Sequence, residues 1–144
     1  MKWLFGPSAL LQQGPHIEML ISATRPEVVE GRVVGLEFPE ISVRALIDTG
    51  ASLTIINPEI AQTCKLRQTD RNKINAVGGV AGEFPAYAAS ISFPGTELPS
   101  FDVIRVVACP IVKQRFFSCL IGRDILQKWL LNYDGKTGEL EVRA

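Results

Sequence analysis

Histidine is almost absent from this 144-residue chain: His16 stands alone, in a stretch flanked by glycine and proline. That removes the usual proton carrier of a Ser-His-Asp arrangement and leaves too few soft ligands for a zinc site. A Cys-His pair built on His16 stays open on paper. Cysteine is scarce as well. Cys64, Cys109 and Cys119 are odd in number, scattered and without CxxC spacing, so reduced, mostly buried thiols are expected, as in a cytoplasmic protein. Excess charge of either sign is missing, because 15 basic residues balance 15 acidic ones. With no basic run to supply an electrostatic footprint, neither nucleic acid nor a membrane surface is expected as a partner. No stretch reaches the roughly 20 apolar residues of a transmembrane helix. The opening Met1–Leu11 carries one positive charge and several apolar residues, which raises a secretory signal as a reading. Gly6-Pro7 interrupts it and no clear small-residue cleavage site follows. Residues 1–16 are therefore expected to form an ordinary N-terminal arm.

What is present is an ordinary globular composition, 47% hydrophobic and 21% charged, in a length that suits one domain over residues 17–144. If the chain is an enzyme, carboxylates are its likeliest workers. The stretch that stands out is Ala45-Leu46-Ile47-Asp48-Thr49-Gly50-Ala51-Ser52, an apolar run ending abruptly on a carboxylate, a hydroxyl and a glycine. A strand buried on both sides reads this way, and it sets Asp48 at the edge of the core, where burial and neighbours tune its proton affinity. Gly50 lets the backbone come close to the carboxylate. The bland alternative is a strand ending in a turn, since Asp, Thr and Gly are common turn formers.

Around this stretch the chain reads as many short strands. Ile17–Ser22 and Ile41–Ile47 carry strand patterns; in the second, Val43, Ala45 and Ile47 share one face. Val28–Phe38 suggests one or two short or bulged strands broken by Gly31 and Gly35. Leu53–Ile56 is a further β-type run. Asn57-Pro58-Glu59 then starts a helix of about two turns through Cys64. Lys73–Phe93 predicts a hairpin with a Gly78-Gly79 tip. Phe101–Ala108 and Phe116–Ile121 predict strands, the latter ending at Gly122-Arg123-Asp124, where Ile125, Leu126 and Trp129 suggest a short amphipathic helix. Leu130–Val142 predicts a terminal hairpin in whose turn Asp134 is structural. The fold class is mainly β, a partly closed barrel or a sandwich with one or two short helices.

Three features occur in order: Leu46-Ile47-Asp48-Thr49-Gly50-Ala51, the glycine-tipped hairpin at Val77-Gly78-Gly79-Val80, and Leu120-Ile121-Gly122-Arg123-Asp124 leading into a helix. In this combination the chain resembles the retropepsin-like aspartic proteases over about residues 17–142, with an extension through Asn132-Tyr133-Asp134-Gly135 more like the bacterial and cellular members than the compact viral ones. The resemblance implies an acid-protease barrel and cleavage of peptide or protein substrates by two carboxylates. This chain has one Asp-Thr-Gly, so a homodimer would be required, with Asp48 of each copy meeting on the two-fold axis. It further implies that Thr49 locks the two loops, that Gly50 allows close backbone approach, and that Ala51 contacts substrate. Val77, Gly78, Gly79 and Val80 would form a flap over it. Ser52, Gly122, Arg123 and Asp124 would support the loop, and no metal or other cofactor is implied. Ser52 stands where retroviral members commonly carry an acid, leaving Arg123 without that partner. The rival expectation is an inactive fold of the same kind, serving as a dimerisation or peptide-binding module.

Overall fold

Alternation decides the central strands. In Glu40–Ile47 (β5) Val43, Ala45 and Ile47 are buried while Ser42 and Arg44 face solvent, the period of a strand with one face on a core. A computed structural model of the protein describes residues 1–24, 28–29, 31–33, 39–74, 82–110 and 116–144. Its remaining elements are β1 (Lys2–Leu4), α1 (Pro7–Gln13), β2 (His16–Ala23), β3 (Val28–Val29), β4 (Arg32–Val33), β6 (Ile55–Ile56), α2 (Pro58–Thr63), β7 (Arg67–Ile74), β8 (Gly82–Ser92), β9 (Phe101–Ala108), β10 (Cys119–Ile121), α3 (Arg123–Leu126), β11 (Leu130–Asp134) and β12 (Glu139–Arg143).

The strands pair in the order β2-β5-β10-β6-β9-β8, and β8 pairs back onto β2, so six strands close into a barrel. Closure leaves those six without a free edge between them. The chain is mainly β, as expected. The interior is filled by alternating residues of each strand, among them Met19, Ile21, Ala45, Ile56, Ile91, Val106 and Ile121, with Ile125 of α3 closing one end. Each large aliphatic side chain so removed from water contributes about 1.5–3 kcal/mol. Cys64, Cys109 and Cys119 are buried free thiols. Burial, with the charge of Asp124 adding, pushes the Cys119 thiol far above the ordinary range, so it packs as a small apolar group.

β7 extends from β8 as an edge strand. Its sequence, RQTDRNKI, carries no apolar alternation and is almost wholly exposed, so the pattern that reveals a half-buried strand is missing. Two other strands are shorter than expected. Only residues 119–121 of the run Phe116–Ile121 are strand, pairing in parallel with Ala45–Ile47, and β6 begins at Ile55 instead of Leu53. The N-terminal segment is also ordered: Pro7 starts α1 rather than breaking the chain, and Gly14, at φ 73°, follows its end. Strand β1 pairs antiparallel with β12, making a three-stranded sheet β1-β12-β11 outside the barrel. Asp134 is structural there, since its Oδ1 accepts from the N–H groups of Lys136 and Thr137 at 2.9 and 3.2 Å. These bonds hold its carboxyl below the usual range.

Gly138 joins the terminal sheet to the N-terminal segment. It sits at φ 75°, and a Cβ there would run into the backbone of Gly6, while Phe5 N–H donates to the Gly138 carbonyl at 2.9 Å. Gly138→Ala is expected to detach β1. Amide hydrogen exchange of residues 2–5 should accelerate at least about tenfold, while the barrel strands keep their protection.

Candidate active site

Two barrel strands lie parallel and end together: Ile121 of β10 is registered with Ile47 of β5. The chain leaves β5 at Asp48 and leaves β10 at Gly122, so the Asp-Thr-Gly loop and the Gly-Arg-Asp turn emerge side by side. Asp48 N–H donates to the Ile121 carbonyl at 3.0 Å, which fixes the point of exit. Its Oδ1 accepts from Gly50 N–H at 2.8 Å, and an added Cβ on Gly50 would sit 3.1 Å from that oxygen. Here glycine serves close approach. Ala51 N–H donates to the Asp48 carbonyl at 3.2 Å and completes a tight loop.

The second motif holds the first. Arg123 N–H donates to the Ala51 carbonyl at 2.9 Å and Asp124 N–H to that of Ser52 at 3.3 Å. The Arg123 guanidinium donates to the Thr49 carbonyl at 2.7 Å, so a backbone oxygen takes the place that an acid after Asp-Thr-Gly-Ala would fill. Asp124 binds Thr54 twice, accepting from its N–H at 2.9 Å and from its hydroxyl at 2.8 Å, and it also accepts from Ile125 N–H at 2.9 Å. Gly122 N–H donates to the Thr54 hydroxyl at 3.2 Å. Gly122 is buried, and a Cβ there would collide with the backbone of Leu53, so only glycine fits the junction.

Thr54 is the member that sequence reasoning missed, because it counts as one more β-favouring residue in the β-type run Leu53–Ile56. It is fully buried, and a hydroxyl in such a place needs partners. That requirement was the available signal.

A groove of about 540 Å³ opens above the loop. Asp48, Gly50, Ala51, Ser52 and Leu53 form its floor, Ile55 and Leu120 one wall, and residues 72–74 of β7 the other. Thus Asp48, Gly50, Ala51 and Ser52 come together in one cavity, with Thr49 exposed at its side and Gly122, Arg123 and Asp124 behind it. The predicted hairpin exists as β7 paired with β8 out to Ile74 and Gly82. Val77, Gly78, Gly79 and Val80 lie outside the described residues. His16 is placed elsewhere: its ring lies between Phe5 and Phe116, with centroids 4.7 and 4.8 Å away, and its Nδ1 donates to the Gly14 carbonyl at 2.9 Å. It has no cysteine beside it in that stack. Among the residues lining the groove, Asp48 is the one carboxylate. A lone carboxylate can accept a proton there, and any second acid must come from outside the described lining.

Residues 34–128 match the family described as gag-polyprotein putative aspartyl protease. Among curated proteins none matches. Of solved structures, the EIAV protease complexed with the inhibitor HBY-793 is 22% identical, covering 82% of this chain and 89% of its own, with a TM-score of 0.52. A retropepsin-like aspartic protease from Rickettsia conorii (18% identity, 88% of this chain, 89% of that one) and the retroviral protease-like domain of Ddi1 from Leishmania major (16%, 88% and 86%) both have TM-scores of 0.45.

The clamp makes a direct prediction. Thr54→Val removes the donor to Asp124 and the acceptor for Gly122 while keeping the volume, and is expected to lower stability by about 2–3 kcal/mol. Urea unfolding should return a similar loss for Asp124→Asn. The double variant should lose much less than the sum, because the two residues share their bonds.

Proposed function

This chain belongs to the gag-polyprotein aspartyl protease family, and we propose that it is an aspartic endopeptidase that acts as a homodimer. The observation that carries the proposal is Asp48 itself. Its carboxylate stands on the floor of a groove otherwise walled by apolar and neutral side chains plus Lys73, with no second acid in the described lining. Two-carboxylate hydrolysis therefore needs another copy of the chain, whose own Asp48 supplies the missing acid.

In the proposed mechanism the two Asp48 carboxyls face each other at about 3 Å and share one proton, since like charges so close do not both ionise. The ionised member removes a proton from a water held between them. The water oxygen bonds to the scissile carbonyl carbon as the protonated member gives its proton to the carbonyl oxygen. The member now carrying the water's proton gives it to the peptide nitrogen while the other takes the proton of one diol hydroxyl, and the C–N bond breaks, releasing a carboxylic acid and an amine and restoring the pair with its one shared proton. The Gly50 N–H bond to Oδ1 holds the carboxylate at the orientation the loop sets. Thr49, whose hydroxyl has no partner among the described residues, would bond across to the loop of the second copy. An extended peptide fits between the floor and β7, and the apolar wall of Ile55 and Leu120 favours largely apolar segments.

A peptide-library cleavage assay combined with sedimentation tests this reading. Asp48→Asn is expected to reduce kcat by at least about 10²–10⁴-fold without dissociating the dimer. An excess of Asp48→Asn chain mixed with wild type should suppress the wild-type activity by forming one-acid dimers. Cleavage that persists in the variant, or full activity from a strict monomer, would overturn the proposal.

A further inference from the structure

One charged cluster lies outside the loop and reaches into the groove. Arg105 of β9 stands opposite Ala88 of β8, and Asp70 of β7 stands opposite Ala86, so all four share one face of the sheet. Because Ala86 and Ala88 are small and buried, the long arginine crosses the whole of β8 to reach β7. Its Nε and Nη2 donate to the two oxygens of Asp70, each at 2.9 Å, and Nη2 also donates to the Asn72 side-chain carbonyl at 3.2 Å. Thr69 donates to Asp70 as well, at 2.8 Å.

The consequence falls on Asn72, which lines the groove across from Asp48. An amide has one acceptor end and one donor end. With its carbonyl engaged by a fixed guanidinium, Asn72 cannot flip, and its NH₂ is the end left to meet a ligand. One N–H of that group donates to the Lys73 carbonyl at 3.1 Å, and among the described residues the other has no partner. Strand alternation puts Ile74 on the same face as Asn72, and Lys73, whose cross-strand neighbour is Glu83, also lines the groove. The groove wall on this side thus combines the oriented amide of Asn72 with Lys73 and the apolar Ile74.

We propose that Asn72 is a specificity-determining residue that binds a substrate side chain ending in a hydrogen-bond acceptor, such as the side-chain carbonyl of glutamine, with Arg105 and Asp70 as its positioning residues. The inference rests on the protease reading for the identity of the ligand as a peptide, though not for the chemistry of the contact. The positioning pair keeps its charge into mildly acidic solution, because the Arg105 and Thr69 bonds hold the Asp70 carboxyl below the ordinary range. The fork is lost only as pH falls through that lowered value, and it is intact above it.

Octapeptides that carry glutamine or its near-isostere methionine, at one position at a time, provide the test. Binding to the Asp48→Asn protein is read by fluorescence anisotropy, and cleavage by the otherwise native protein is read as kcat/KM. At one position glutamine is expected to exceed methionine by about three- to tenfold in binding, with the same order in cleavage. Asn72→Leu should bring that ratio to about one. Asn72→Asp, which keeps the size and the Arg105 contact but loses the donor, should do the same or invert it. Arg105→Lys should lower the ratio part of the way, an effect that a general loss of stability would not produce on two matched peptides. A wild type that cleaves nothing while its glutamine preference in binding vanishes in Asn72→Asp would sink the protease reading and uphold the contact. A preference that survives Asn72→Asp, or no preference at any position, would overturn the inference.

Discussion

The bond pair between Asp124 and Thr54 is the constraint on which the rest of the site depends. These residues lie 70 positions apart, yet the carboxylate of one takes both the N–H and the hydroxyl of the other. Charge-assisted bonds of this kind are stronger than neutral ones, and three donors converge on one acid. Because Thr54 ends the loop that begins at Asp48, fixing Thr54 fixes the far end of the loop. The near end is fixed by β5, whose pairing with β10 brings Gly122 alongside. The loop is held at both ends by the same turn, and Gly122 is a glycine because no Cβ fits between the two.

The opposite wall of the groove is built on other principles. Strand β7 has little apolar surface to bury, so its attachment to the sheet relies on backbone pairing with β8 and on the guanidinium fork from β9. A surface ion pair is ordinarily worth little, and this one is half exposed. Its significance is directional: a planar fork fixes where an amide points even where it adds little to stability. One wall is therefore held by buried, fully satisfied polar bonds and the other by exposed, oriented ones.

How much of this was legible in the sequence follows from burial. Strands β2, β5, β8 and β9 bury one face on the barrel core, so their apolar residues recur with a strand's period and could be read directly. Asn57-Pro58-Glu59 announced α2 by its capping chemistry. Strand β7 buries almost nothing, and β1 is only three residues long, so neither left a pattern. Helix α1 left no reading of its own in the sequence, since Pro7 stands at its first position and proline both breaks helices and begins them. At the site, Asp48, Thr49 and Gly50 were legible as a motif, as was the supporting role of Arg123 and Asp124. What Arg123 bonds to, and that Thr54 completes the clamp, depend on which chain segments meet. One sequence does not state that.

The terminal sheet carries a consequence for the order of assembly. Lys2 bonds Glu139 and the Met1 amino group bonds the Val142 carbonyl, contacts separated by 137 and 141 positions. Closing so long a span costs chain entropy that local contacts do not. During synthesis β1 has no strand to pair with until β12 has been made, whereas β2 and β5 have each other far sooner. Strand β1, made before the barrel strands, thus settles after them.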